Sequence, residues 1–384
     1  MQSQKQLFNL RPEVSYLNCA YKAPLLKSSE DAAIKALTRD RNPMDIGVDD
    51  YFSQVDEVKS QFAQLVNCTS KDVALIPSSS YGFASVLNNI AAKPKGKAIT
   101  IEDEFPSGYL SLSKWCKEHD NDLIIVNSDH SKNQKGKAWN EAILHEIDER
   151  TSLVLMSSVH WMNGIVFNLT AIADRCHEVG AKLVVDGTQS VGALPLDLQT
   201  CKIDALICAG YKWLFGPYST GLAYFSPEFH DGEAIEESWM NKKNARNFSG
   251  LTNYDLNYQD GAAKFSVGET SNFILVPMVL EGLKQINKWE VPAMNAYCDK
   301  LSRPLLNYCA EIGLVLEERA YFSPHLFSLP LPTSVDPGAF KNILDQNKIF
   351  TSLRGQSLRV AINVFNEEAD IERLLQVMKS EFKI

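Results

Sequence analysis

The chain has 384 residues, 45% of them hydrophobic, and carries 38 basic against 47 acidic side chains for a net charge of -9. That length suffices for one large and one smaller domain with a buried core, and the acidic balance argues against a nucleic-acid-binding protein, which would carry a basic face. No apolar run approaches membrane-spanning length and the N-terminal MQSQKQLFNLRPEV lacks the apolar core of a signal peptide, so the sequence predicts a cytoplasmic protein with no membrane partner.

In chain order, Val73 to Ile76 reads as a buried strand leading through Ser78, Ser79 and Ser80 to a helical stretch from Tyr81. Ala98 to Ile101 precedes a helix over Ser107 to Glu118, and Leu123 to Val126 precedes the polar loop SDHSKNQKGK. A helix near Trp139 to Asp148 follows, then a strand over Leu153 to Met156, then a helix capped by Thr170 and ending at Gly180. Leu183 to Val185 and Ala205 to Cys208 are short apolar runs that open into small or Gly-containing loops, and Gly221 to Phe225 is one more strand. This alternation predicts an α/β fold with a mainly parallel central sheet. From about Pro277 the pattern changes to long amphipathic helices (Met278 to Trp289, Pro292 to Ile312), then strands and a terminal helix over Glu368 to Phe382. The break predicts a large domain over 16–265 and a smaller α/β domain formed by 1–15 and 266–384. The eight cysteines are widely spaced and form no CxxC, so they read as reduced, mostly buried thiols, and no zinc-type spacing appears. Neither GxGxxG nor a Walker lysine motif is present.

The stretch LVVDGTQSVGALPLDLQTCKIDALICAGYKWLFGP, Leu183 to Pro217, carries the strongest chemical signal. Asp186 and Lys212 both emerge at carboxyl ends of apolar strands, where parallel α/β sheets bind ligands. Singly, such an Asp is commonly a turn residue and such a Lys is commonly solvated. Together they match the needs of pyridoxal phosphate: a lysine for the imine, and a carboxylate that keeps the pyridine nitrogen protonated so that the ring accepts electrons. IPSSSYGFA adds hydroxyls and a helix onset suited to a phosphate.

With these motifs, the chain resembles over nearly its whole length the class V aminotransferases of pyridoxal phosphate fold type I, a family that also holds cysteine desulfurases, kynureninases and epimerases. The resemblance implies a large domain that binds the cofactor and a homodimer with sites at the subunit interface. It places the phosphate on Ser79 and Ser80, with Tyr211 directed at it as in some kynureninase-like members. It places Phe105, in EDEFPSGYL, over the ring, and gives Gln189 the phenolate oxygen. In SSVHWMNG, His160 and Trp161 stand where desulfurases often have serine and asparagine, and they are expected to wall the substrate pocket. In SLRVAINVFNEEADIERLL, Arg359 matches the arginine that takes a substrate carboxylate through two parallel N–H donors. In KFSVGETSNF, Glu269 replaces the usual threonine that reaches the partner's phosphate, so Thr270 is expected to supply that contact.

Thr351 to Arg359 reads TSLRGQSLR and lacks the nucleophilic cysteine that desulfurases carry shortly before the arginine, which argues against persulfide formation. The expected function is a class V aminotransferase acting on an amino acid through an imine at Lys212. A lyase of the selenocysteine or kynurenine type and an epimerase share its first steps and remain alternatives, as does a catalytically silent pyridoxal phosphate-binding protein. No metal ligands are expected.

Overall fold

The structure is a computed structural model and describes residues 1–382. A short strand, β1 (Ser15–Tyr16), precedes the main sheet. That sheet is built from β2 (Val73–Ile76), β3 (Lys97–Ile101), β4 (Asp122–Val126), β5 (Thr151–Ser157), β6 (Lys182–Asp186), β7 (Ala205–Ala209) and β8 (Gly221–Phe225). The spatial order is β2-β8-β7-β6-β5-β3-β4. The neighbours from β7 to β4 pair in parallel, whereas β8 is antiparallel to both β2 and β7. Every residue of β2, β3, β5, β7 and β8 is buried, which explains their continuous apolar runs: both sheet faces are covered. Along each strand the side chains alternate between two cores, with Leu183, Val185 and Leu206 on one face and Val184, Ala205 and Ile207 on the other.

The connections position the site. From β3 the chain steps outward to β4, then returns to β5 on the other side of β3 and continues to β6 and β7. Reversal of strand order opens a crevice outside the carboxyl ends. The loops after β3, β5, β6 and β7 meet there.

The change of pattern near Pro277 corresponds to the helices Leu275–Trp289 and Val291–Glu311. They lead to an antiparallel sheet formed from β9 (Leu326–Pro330), β11 (Ser352–Arg354) and β12 (Ser357–Ala361), in the order β11-β12-β9, while β10 (Ile349–Phe350) pairs in parallel with β1. A second apolar core joins this sheet to the helix Val291–Glu311 and the terminal helix Glu368–Glu381. Leu17 lies in that second core and exchanges backbone hydrogen bonds with Phe350 and Ala361. The helix Lys27–Arg39 packs against Leu275–Trp289. The first forty residues therefore bridge both parts. No helix of the described residues is long and apolar enough to cross a membrane.

Candidate active site

A pocket lies at the carboxyl edge of the main sheet. Asp186 ends β6, Ser157 ends β5 in register beside it, and Lys212 follows β7 by three residues. Of the residues singled out from sequence, Ser79, Phe105, Trp161, Asp186, Gln189, Tyr211 and Lys212 line the pocket; Ser157, Thr188 and Ala209 complete it.

Lys212 is only 6% exposed, and among the described residues no carboxylate comes within ion-pair distance of its amine. Its Nζ sits 5.4 Å from the centroid of the Phe105 ring and 5.6 Å from that of Tyr211. Burial pushes the amine down to about 8, against the pull of Asp186, with Arg359 and Arg354 adding to the descent. Asp186 is moved in the opposite sense. Burial raises its carboxyl, while the Thr188 hydrogen bonds and the Lys212 charge oppose that rise. Its Oδ1 accepts the Thr188 amide at 2.8 Å, and Thr188 Oγ1 accepts the Ala209 amide at 3.0 Å, tying the β6 and β7 loops together.

Gln189 is held at both ends of its amide: Nε2 donates to the Ala20 carbonyl at 3.1 Å and Oε1 accepts from Trp213 Nε1 at 2.8 Å. One Nε2–H is left for a ligand. Behind it, buried His325 bonds through Nε2 to the Gln189 carbonyl at 2.7 Å, and burial lowers that imidazole to about 4, so it is neutral.

Phe105 is delivered by a tight turn in which Asp103 adopts φ +52, a region sparsely used by residues with a side chain. Pro106 then opens the helix Pro106–Glu118. Trp161 meets Phe105 edge to face, centroids 5.6 Å apart, and donates Nε1–H to the Asp103 carbonyl at 2.7 Å. Sequence reasoning passed over Glu104, which lies beneath this aromatic pair. It accepts the amides of Phe105 and Ser157, each at 2.6 Å, and the Ser157 hydroxyl at 2.5 Å. Burial, then the Asp186 charge, raises this carboxyl to about 7. Nothing in EDEFP marks Glu104 over its neighbours, because its burial arises from the packing of β3 against β5.

Three residues expected at this site, Ser80, His160 and Arg359, are not in the pocket wall, and Thr270, expected to reach the partner's phosphate, lies apart from it. Ser80 points to Ser78, hydroxyls 2.9 Å apart, while Ser78 itself caps the helix Ser79–Leu87 through the Tyr81 amide at 3.2 Å. The amides of Ser79 and Ser80 at that N-terminus lack intrahelical partners. His160 is drawn away from the pocket: its ring packs 5.2 Å from Trp139, Nε2 reaches the Glu102 carbonyl at 3.2 Å and Nδ1 has no partner. Thr270 donates to the Val267 carbonyl at 2.7 Å and lines a separate hollow with Thr220 and Glu269. Arg359 is 1% exposed and stands behind the Trp161 loop, donating Nη1–H to the Trp161 carbonyl at 2.8 Å.

The pocket fits pyridoxal phosphate on its own terms. It combines an unpaired buried amine, a buried carboxylate at a strand end, a flat ring, and a hydroxyl at a helix N-terminus.

Comparison with known proteins agrees with this reading. Residues 48–374 match the family model described as aminotransferase class-V. An uncharacterized aminotransferase, YcbU, of Bacillus subtilis (strain 168) is 23% identical over 83% of this chain and 81% of its own length. A kynureninase of Shouchella clausii (strain KSM-K16) is 22% identical over 97% and 85%. Among solved structures, a lysine-to-alanine mutant of C-DES with glycine covalently linked to its PLP cofactor superposes with a TM-score of 0.86 at 16% identity, covering 97% of this chain and 98% of that one. The superposition identifies the architecture as fold type I. The chain belongs to the class-V aminotransferase family, a family of pyridoxal phosphate enzymes.

Proposed function

We propose that the protein is an amino-acid aminotransferase that works through Lys212. The observation that carries this reading is the Lys212 amine, buried without a carboxylate partner and lowered to about 8, in the same pocket as Asp186 and Phe105. In this reading Lys212 would bind the cofactor, Asp186 would serve its pyridine nitrogen, Phe105 would cover the ring, and Gln189 would offer its free N–H to the ring oxygen. Ser79 and Tyr211, with the helix N-terminus, receive the phosphate. Bound there, the cofactor supplies an electron sink for charge developing at the α-carbon of an amino acid.

The chain's own groups do the remaining work. Arg359 orients the α-carboxylate, and Lys212 Nζ takes the α-proton and carries it along the same face of the pocket, away from the α-carbon. Asp186 holds positive charge on the ring side of the pocket, and Phe105 and Trp161 exclude water. Transamination is favoured over epimerisation because His160 is turned toward Trp139, leaving no imidazole among the pocket-lining side chains to serve as a second proton carrier. It is favoured over a desulfurase that forms a persulfide on its own cysteine because Thr351 to Arg359 contains no thiol.

A panel of L-amino acids added to protein loaded with pyridoxal phosphate tests this reading. The expected result is one keto acid released per site in a single turnover, with the amino group retained and passed to an added keto acid. Release of pyruvate with loss of a β-substituent, or an inverted stereocentre with no keto acid, contradicts transamination.

A further inference from the structure

Beside the pocket stands a second arginine to which no role has been given. β11 and β12 form a hairpin in which Ser352 is paired with Arg359 and Arg354 with Ser357. The turn between them is Gly355–Gln356, with Gly355 at φ +55, where glycine is strongly preferred. Because side chains alternate along a strand, Ser352, Arg354, Ser357 and Arg359 share one face of the hairpin, and Leu353 and Leu358 take the other. Leu358 is fully buried in the second core, which fixes the register and turns both arginines away from that core.

These two guanidinium groups have no counter-charge. Among the described residues neither makes an ion pair, and the buried Nε–H of each has no hydrogen-bond partner. Arg354 donates Nη1–H only to its neighbour's carbonyl, Leu353, at 2.7 Å, and its guanidinium lies 5.1 Å from the Trp161 ring. Arg359 donates to the Trp161 carbonyl and, at 3.4 Å, to Ser352 Oγ. Both charges are felt at Lys212, and burial and then the Arg354 charge both work against the charge on Arg359. Two mutually repelling, partly desolvated cations without an anion are costly to hold. Such a site is completed by anionic groups from outside, and one α-carboxylate satisfies one planar fork.

We propose that the substrate is an amino acid whose side chain carries its own anionic group, with the α-carboxylate on Arg359 and the side-chain anion on Arg354. The proposal rests on the Lys212 reading above, because it takes the pocket to hold an amino acid. Trp161 supplies the common wall, its ring under Arg354 and its backbone carbonyl bonded to Arg359, so both ends of such a substrate are referred to one residue. Neutral amino acids would leave Arg354 unpaired.

Calorimetric titration of the pyridoxal phosphate-loaded protein with succinate and glutarate, and with propionate, tests this without turnover, since none of these has an amine. L-aspartate, L-glutamate and L-cysteine sulfinate against L-alanine give the matching kcat/KM values. The wild type is expected to prefer the dianions by roughly 10- to 100-fold, the range of one charge-assisted contact. Arg354→Gln should abolish that preference and change propionate binding by less than about threefold. Equal binding of dicarboxylates and propionate by the wild type overturns the proposal. An equal loss for both in Arg354→Gln also overturns it, because both arginines would then hold one carboxylate. If Arg354→Gln does not fold, the wild-type preference decides alone. Failure here with the Lys212-dependent visible absorption intact leaves the cofactor reading standing, whereas loss of that absorption removes both.

Discussion

Glu104 shows how the site is held at the scale of single residues. Its carboxyl gathers the amides of Phe105 and Ser157 and the Ser157 hydroxyl, and so locks the aromatic lid of the pocket to the end of β5. The folded protein favours its protonated form, since burial and Asp186 raise it from 4.5 to about 7. The stability it contributes is therefore fully present below about pH 4.5 and is lost as pH rises through about 7. Glu104→Gln removes this titration and keeps the shape. The stability difference between the variant and the wild type should shift toward the variant by up to roughly 3 kcal/mol between about pH 5 and pH 8. Urea unfolding across that range measures it, and a flat difference contradicts the raised carboxyl. Asp186 and Lys212 were legible from sequence because each ends an apolar run, a local pattern. Glu104 was not, since its burial depends on β5, about fifty residues away.

Among elements, the loop after β5 forms the Trp161 wall of the pocket and the strand β9 supports that loop. The loop brings Trp161 over Phe105, turns at Gly164, and lies against β9, where Ser328 Oγ donates to the Met162 carbonyl at 2.7 Å. Gly164 adopts φ +78, and a Cβ there would lie 1.9 Å from the Leu326 carbonyl oxygen. Gly164→Ala is expected to cost about 2–4 kcal/mol of stability, measured by denaturant midpoint, and to weaken substrate binding by displacing Trp161. A variant within about 0.5 kcal/mol of wild type contradicts that packing. The motif SSVHWMNG placed this loop beside the pocket, and both His160 and Trp161 were expected in its wall. Trp161 is there, because Asp103 offers it a carbonyl. His160 is not, because Trp139 offers it a ring.

Across the whole molecule, the alternation of strands and helices and the change near Pro277 were legible because they follow hydrophobic periodicity and turn chemistry. The strand order was not. Nothing local to Gly221–Phe225 states that β8 inserts antiparallel between β2 and β7, and nothing in Ser15–Tyr16 states that it pairs with Ile349–Phe350. Those pairings join residues far apart in sequence, as do the parallel pairings of β3 with β5, β5 with β6 and β6 with β7 that bring their loops to one edge. The resulting arrangement joins a cofactor pocket on the main sheet to a hairpin of arginines on the smaller one, with Trp161 between them. In the proposed function Lys212 is the anchoring amine of this arrangement. Visible absorption of the purified protein with added pyridoxal phosphate, wild type beside Lys212→Ala at matched fold stability, tests it most directly. In amine-free buffer, a cofactor band that borohydride reduction fixes to the chain is expected in the wild type and not in Lys212→Ala. The same band in both proteins would contradict it.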